Sequence, residues 1–207
     1  MAEIRTHKGD ISETAMALYK GDIAIDTETL GLVPRRDRLC VVQLSPGDGS
    51  ADVIQIAAGQ TSAPNLVKLL EDENKRKLFH FGRFDIAVLF NAFGVTTTPV
   101  FCTKIASRLC RTYTDRHGLK DVTKELLDID LSKQQQSSDW AAETLTPAQL
   151  EYAASDVLHL HALTEKLTAR LVRDGRETHA KACFEFLPTR AKLDLMGWEE
   201  TDIFAHS

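Results

Sequence analysis

The stretch Asp22-Ile23-Ala24-Ile25-Asp26-Thr27-Glu28 alternates with period two, the pattern of a half-buried β-strand. Residues i and i+2 of a strand share a face, so Asp26 and Glu28 point the same way. Two carboxylates side by side repel, and burying them uncompensated is expensive. A hard divalent cation with oxygen ligands removes the conflict. A solvated strand end removes it too, and the short pattern Asp-x-Glu does not choose between the two.

Outward from this strand, Leu39–Leu44 and Asp52–Ile56 read as two more strands, separated by the turn Gly47-Asp48-Gly49-Ser50. The first three strands are therefore expected to form an antiparallel meander. Ala63–Leu70 is amphipathic, with Pro64 placed for a first helical turn. Lys77–Phe81 reads as a short strand, and Phe84–Ala92 as a helix that stops near Gly94. Helical patterns follow over Thr103–Arg111, Leu119–Leu127 and a long stretch from Pro147 to Arg173, with Thr146 as N-cap and Gln149 three residues on. Glu177–Leu195 reads as one or two helices broken at Pro188. Lys133–Trp140 is polar and without helical period, a loop of the kind that carries function. Strands first and helices after, with one βα crossover, predict an α/β fold: a mixed five-stranded sheet flanked by helices.

A chain of 207 residues fits one such domain, 1–207, with a full core. Hydrophobic residues at 43% and charged residues at 27% exclude a disordered or fibrous chain. The N-terminus lacks a signal-peptide layout, and no apolar run suggests a membrane span, so the expectation is a cytoplasmic protein with no membrane partner. Cys40, Cys102, Cys110 and Cys183 are scattered, which argues against a zinc site or a disulfide framework. The net charge of −5 shows no basic surplus of the kind that tracks long nucleic acid. It leans toward a short substrate, or toward a basic groove created by assembly.

Two further acidic signals stand downstream. In His80-Phe81-Gly82-Arg83-Phe84-Asp85 the acid opens a helix just beyond a strand, where the helix dipole alone would favour it. In Tyr152-Ala153-Ala154-Ser155-Asp156 the phenol and the carboxylate share a helix face, and the alanines let that helix lie close to a neighbour. Each signal alone has a bland reading. In their order along the chain, from about residue 22 to residue 165, they resemble the DEDDy branch of the ribonuclease D-like 3′–5′ exonucleases, a family with a ribonuclease H-like fold. Within it, the segments Asp26–Leu32, Asp37–Leu44, Cys102–Ser107, Arg111–Gly118 and Lys133–Trp140 are similar to the compact diribonuclease branch, the nano-RNase C group. Ribonuclease D itself carries additional C-terminal helical domains. A chain ending near residue 207, with its last helices at about 177–196, has no room for them, which favours the compact branch.

The resemblance implies two divalent ions, Mg2+ or Mn2+, roughly 3.5–4 Å apart and clamping the scissile phosphate. Asp26, Glu28, Asp85 and Asp156 would hold them, and Tyr152 would orient the attacking water. It implies diribonucleotides as substrate, a leucine wedge between the two bases at Leu32, and a ring-shaped homo-octamer. Leu32 read from its place in the chain is equally a core leucine. Phe81 is either a stacking platform or core. Thr27 and His80 join the substrate-contacting set by position. Donors to cap a terminal phosphate are expected among Arg111, Tyr113, Arg116, His117, Lys133 and Gln134–Gln136, with Gln136 the chosen member of that run. Lys104, Arg108 and Arg111 share a basic helical face, for which plain solvation is the favoured reading of Lys104 and Arg108. Two competing functions are a broader exonuclease on longer RNA or DNA ends and a non-catalytic binding module. The second is the weaker, because all four acids and the tyrosine are present.

Overall fold

The computed structural model describes residues 2–132 and 134–206. Six strands form one mixed sheet: β1 (Glu3–Lys8), β2 (Ile23–Thr29), β3 (Leu39–Ser45), β4 (Ser50–Gln55), β5 (Lys77–Phe79) and β6 (Val100–Cys102). Their order across the sheet is β1-β4-β3-β2-β5-β6. β2, β3 and β4 make the expected antiparallel meander. β5 and β6 add in parallel beyond β2, and β1 adds in parallel to β4.

The expectation of five strands is corrected to six. β1 is a polar edge strand whose sequence carries little alternation. Tertiary contacts hold it: Arg5 donates to both oxygens of buried Asp52 at 2.9 and 2.8 Å, and His7 and Tyr19 converge on the same carboxylate. β6 spans only three residues, too few to show a period.

The helices are α1 (Glu13–Met16), α2 (Pro64–Glu71), α3 (Gly82–Phe93), α4 (Thr103–Cys110), α5 (Leu119–Leu127), α6 (Pro147–Leu158), α7 (Leu160–Arg173) and α8 (Glu177–Leu193), with a π turn over Asp194–Trp198. The stretch 147–173 is two helices, because the backbone leaves the helical region at His159. α8 is not broken at Pro188, as expected from sequence. It runs through, with Phe184, Leu187, Pro188 and Ala191 buried, so packing of that stripe outweighs the missing hydrogen bond. No helix among the described residues is long and apolar enough to cross a membrane.

α6 carries Tyr152 and Asp156, and both its start and its packing are well fixed. Thr146 caps it in a capping box: its Oγ1 accepts from the Gln149 backbone at 3.3 Å, and Gln149 Oε1 accepts from the Thr146 backbone at 2.9 Å. The helix packs on β2, β3 and β4, with Ala153 and Ala154 buried at the contact. Ala154 and Val157 join the main core with Ile23, Ile25 and Leu44. Ala153 joins a smaller cluster with Cys40, Val41, Val53 and Trp140, against which Tyr152 packs. Both clusters pin α6, so the side chains facing β2 are held in register.

Candidate active site

Asp26 and Glu28 stand on β2, and Asp156 faces them from α6. One carboxylate oxygen from each lies within 4.8 Å of the others. Asp85, in the first turn of α3, stands outside that group of three. Its Oδ1 accepts from Thr27 Oγ1 at 2.7 Å, and of the neighbouring charges it acts most strongly on Asp26. Burial, followed by mutual repulsion, holds the Asp26 carboxyl well above the usual carboxylate range. Burial and then the Asp156 and Asp85 charges push Glu28 up to about 8. Burial pushes Asp85 to about 7, against the lowering effect of the Thr27 hydroxyl. Asp156 also rises to about 7 through burial, partly offset by the Tyr152 phenol.

Among the described residues, no lysine or arginine pairs with any of the four. Buried Asp52 shows the contrast: Arg5 satisfies it, and its carboxyl is lowered despite burial. Unpaired buried carboxylates are strongly unfavourable. An all-oxygen, mutually repelling set of this kind fits hard divalent cations.

Two neighbours support the acids. Burial and the nearby Asp156, Glu28 and Asp26 charges raise the Tyr152 phenol, so it stays protonated. Its ring packs beside Trp140, with centroids 6.0 Å apart. Gln43 lies opposite Asp26 in the β2–β3 register, is fully buried, and points Nε2 at Asp26 Oδ2 over 3.4 Å. Sequence reading missed Gln43. The signal was a lone polar residue in an apolar strand, Leu39–Ser45.

The acids open into a cavity of about 640 Å³. Of the expected substrate-contacting residues, Thr27, Leu32, His80 and Gln136 line it. Leu32 is 84% exposed, which rules out its core reading. Phe81 is 45% exposed and sits just outside the lining, with Lys104 Nζ 4.2 Å above its ring. Its backbone is left-handed at φ 72°, an uncommon conformation for a bulky residue. Lys133 lies outside the described residues.

The structure corrects the phosphate-capping expectation. Arg111, Tyr113, Arg116 and His117 do not line the cavity. Arg111 is 1% exposed, ion-paired with Glu125, and donates to Ser107 Oγ and the Arg116 carbonyl. The Tyr113 hydroxyl also donates to Glu125 and accepts from Arg170. His117 Nδ1 is 2.9 Å from Ser107 Oγ. Lys104 and Lys120 reach the cavity instead, beside Gly118 at the uncapped start of α5. Lys104 is therefore not a plainly solvated side chain. Sequence reading also missed Phe84 and Trp140 in the wall.

Known proteins share this arrangement. The family model described as 3′–5′ exonuclease matches residues 3–172. Ribonuclease D of Gluconacetobacter diazotrophicus is 34% identical over 154 residues, covering 74% of this chain and 39% of that protein. The chain thus spans about two fifths of that curated relative. Among solved structures, a nuclease in its apo form is 79% identical with TM-score 0.98 over the whole of both chains. NrnC of Brucella melitensis bound to pGG is 67% identical with TM-score 0.97, again over both whole chains. The same protein with bound Mg2+ gives 66% and 0.95 over 99% of this chain and 100% of that one. The acidic cluster of β2 and α6 therefore sits in a chain that belongs to the ribonuclease D-like 3′–5′ exonuclease family, and it is a nuclease of that family.

Proposed function

We propose that this chain is a divalent-metal-dependent 3′–5′ exoribonuclease that hydrolyses very short RNA, diribonucleotides above all, to mononucleotides. One observation carries the proposal: the unpaired carboxylates Asp26, Glu28 and Asp156 open into a bounded cavity that Lys104 and Lys120 also reach. Its volume falls in the roughly 300–1,000 Å³ range of small-ligand sites, which suits a dinucleotide better than a long strand. The whole-chain likeness to a protein solved with pGG supports the same substrate class. Exposed Leu32 on the cavity wall is available to wedge between neighbouring bases. Lys104, Lys120 and the free N–H groups at the start of α5 suit a terminal phosphate.

Asp26, Glu28 and Asp156 would hold the ions, with Asp85 completing the set from its Thr27 hydrogen bond; Mg2+ or Mn2+ suits this ligation. When bound, the ions supply charge neutralisation and Lewis-acid stabilisation of the phosphate oxygens. The chain's own contribution is orientation. Tyr152, protonated and one helical turn from Asp156, positions the attacking water by its hydroxyl. Gln43 and Thr27 hold the carboxylates to which they bond.

Rates on 5′-labelled RNAs of two to seven nucleotides test the proposal. A sharp preference for the two-mer is expected. Equal trimming of all lengths would replace it with the second reading, a broader ribonuclease D-type exonuclease, which the longer curated relatives favour. Activity that survives chelation would overturn both. Self-association, to an octamer by family likeness, belongs to the same proposal and is supported by exposed Met196, Trp198 and Phe204. A solution mass of 23.0 kDa at micromolar concentration would refute it.

A further inference from the structure

His80 follows β5 and lines the cavity. Its Nδ1 lies 2.8 Å from Thr103 Oγ1. Thr103 Oγ1 in turn lies 3.1 Å from the Phe79 carbonyl and donates to it. A hydroxyl has one proton, and a carbonyl oxygen can only accept. With that proton committed to Phe79, Oγ1 meets the imidazole as an acceptor, so Nδ1 carries the ring proton. Nε2 is then a bare lone pair.

Thr103 is fully buried, so water does not compete for the relay. Burial first, and the Lys104 ammonium second, push His80 down to about 3, which keeps the ring neutral. Nε2 itself is shut off from solvent and has no hydrogen-bond partner among the described residues. A buried acceptor without a donor is costly, and in native proteins such an atom calls for an explanation. Here the atom belongs to a residue of the cavity wall.

The donors a nucleotide can offer are its ribose hydroxyls and its exocyclic amines, since its phosphates only accept. Exocyclic amines differ from base to base and uracil has none. A ribose hydroxyl is present on every ribonucleotide. Lys104 shares the cavity wall with His80 and suits a phosphate. A sugar is what lies next to a phosphate along the strand. We propose that His80 Nε2 accepts a hydrogen bond from a ribose hydroxyl of the bound substrate, which makes His80 a residue that reads the sugar. This rests on the exonuclease reading above and adds to it a sugar specificity.

The test measures kcat/KM on a 5′-phosphorylated diribonucleotide, on its two singly 2′-deoxy forms and on its 3′-deoxy form, for the wild type and His80→Phe. One of the three deoxy substrates is expected to be cut about tenfold or more slowly by the wild type, the scale of a buried acceptor losing its donor. His80→Phe is expected to bring the all-ribo substrate down to that same level while leaving that one deoxy substrate unchanged. Which deoxy form behaves so identifies the hydroxyl. An equal fall on all four substrates would overturn the proposal and leave the exonuclease reading intact. So would the same coupling appearing with inosine in place of guanosine, which assigns Nε2 to an exocyclic amine. A wild type that cuts none of the four would instead remove the underlying reading.

Nitrogen NMR on 15N-histidine-labelled wild-type protein does not depend on the variant folding or on turnover. It is expected to show His80 protonated at Nδ1 and bare at Nε2, with the Nε2 signal moving when the uncleaved diribonucleotide binds in chelator. The opposite tautomer, or an Nε2 signal that does not respond to binding, would overturn the proposal.

Discussion

At the scale of single residues, charge and hydrogen-bond geometry separate the roles of the acids from those of their supports. Asp156→Asn keeps the size of the side chain and removes one charge from the group that would hold the ions. Loss of several kcal/mol of electrostatic stabilisation corresponds to roughly a thousandfold or more in rate. Hydrolysis by this variant is expected to fall at least that far, with a native circular-dichroism spectrum. Tyr152→Phe removes only the hydroxyl that positions water, so kcat is expected to drop about 10²–10⁴-fold with KM nearly unchanged. A wild-type rate there would take the phenol out of the mechanism. Thr27→Val deletes the 2.7 Å hydrogen bond to Asp85 and leaves all four acids in place. Loss of an outer-shell partner typically weakens metal affinity about 10–100-fold, so Mn2+ titration should shift by that factor and high Mn2+ should restore turnover. The four acids were legible because type, order and element placement agreed. The phosphate-facing cations were not. Arg111 looked favourable beside Tyr113 and His117, yet Glu125, fourteen residues on, captures it. Lys104 looked like a solvated residue of the same face. A helical face can be read from spacing, but which end of it meets a cavity is decided by tertiary packing.

At the scale of elements, the sheet and helices place four acids from three separate stretches at one cavity. β2 supplies two by its period-two geometry, α3 supplies Asp85 in its first turn, and α6 supplies Asp156 through its dual packing on both core clusters. Most of this was readable, because β2, β3, α2 and α5 carry clear periodicity and α6 carries its capping box in the sequence. The failures share a cause: β1, β6, the break at His159 and the unbroken course through Pro188 are set by partners distant in the chain, not by local pattern. The junction between β5 and α3 is the tightest of these joints. A Cβ on Gly82 would meet the Phe79 Cβ at 2.8 Å, so either the helix start or β5 must move. Gly82→Ala is therefore expected to cost about 1–3 kcal/mol in denaturant unfolding, the range for overpacking. Because α3 carries Asp85 three residues later, hydrolysis should fall as well, even at denaturant concentrations where the variant is fully folded. Unchanged activity in the folded variant would show that Asp85 tolerates movement of its helix.

At the scale of the whole molecule, the active site opposes stability, and the sign follows from proton linkage. A carboxyl whose pKa is raised in the folded state binds more protons there than in the unfolded chain, so stability falls as pH rises between its two values. Asp85 and Asp156 at about 7 and Glu28 at about 8 place much of that loss between about pH 6.5 and 8. Other groups leave this window nearly clear. His80, His117 and His159 are lowered, so their opposing contribution is mostly complete by their ordinary value of 6.5. Lys77, buried against three carbonyl oxygens and lowered to about 8, acts mainly above it. Metal-free protein is therefore expected to melt at progressively lower temperature from pH 6.5 to pH 8. Saturating Mg2+ or Mn2+ should raise the melting temperature most at the upper end, because binding to the folded state alone stabilises it and the ionised ligands bind best. Glu28→Gln removes one raised carboxyl, so this inactive variant should melt above the wild type at pH 8 without metal and show a shallower pH dependence. Thermal melts of both proteins across the window, in chelator and in excess metal, measure all three effects. A metal-free melting temperature that is flat or rising toward pH 8 would mean that the four acids are not strained by burial and mutual repulsion. A metal centre between β2 and α6 would then lose its physical basis.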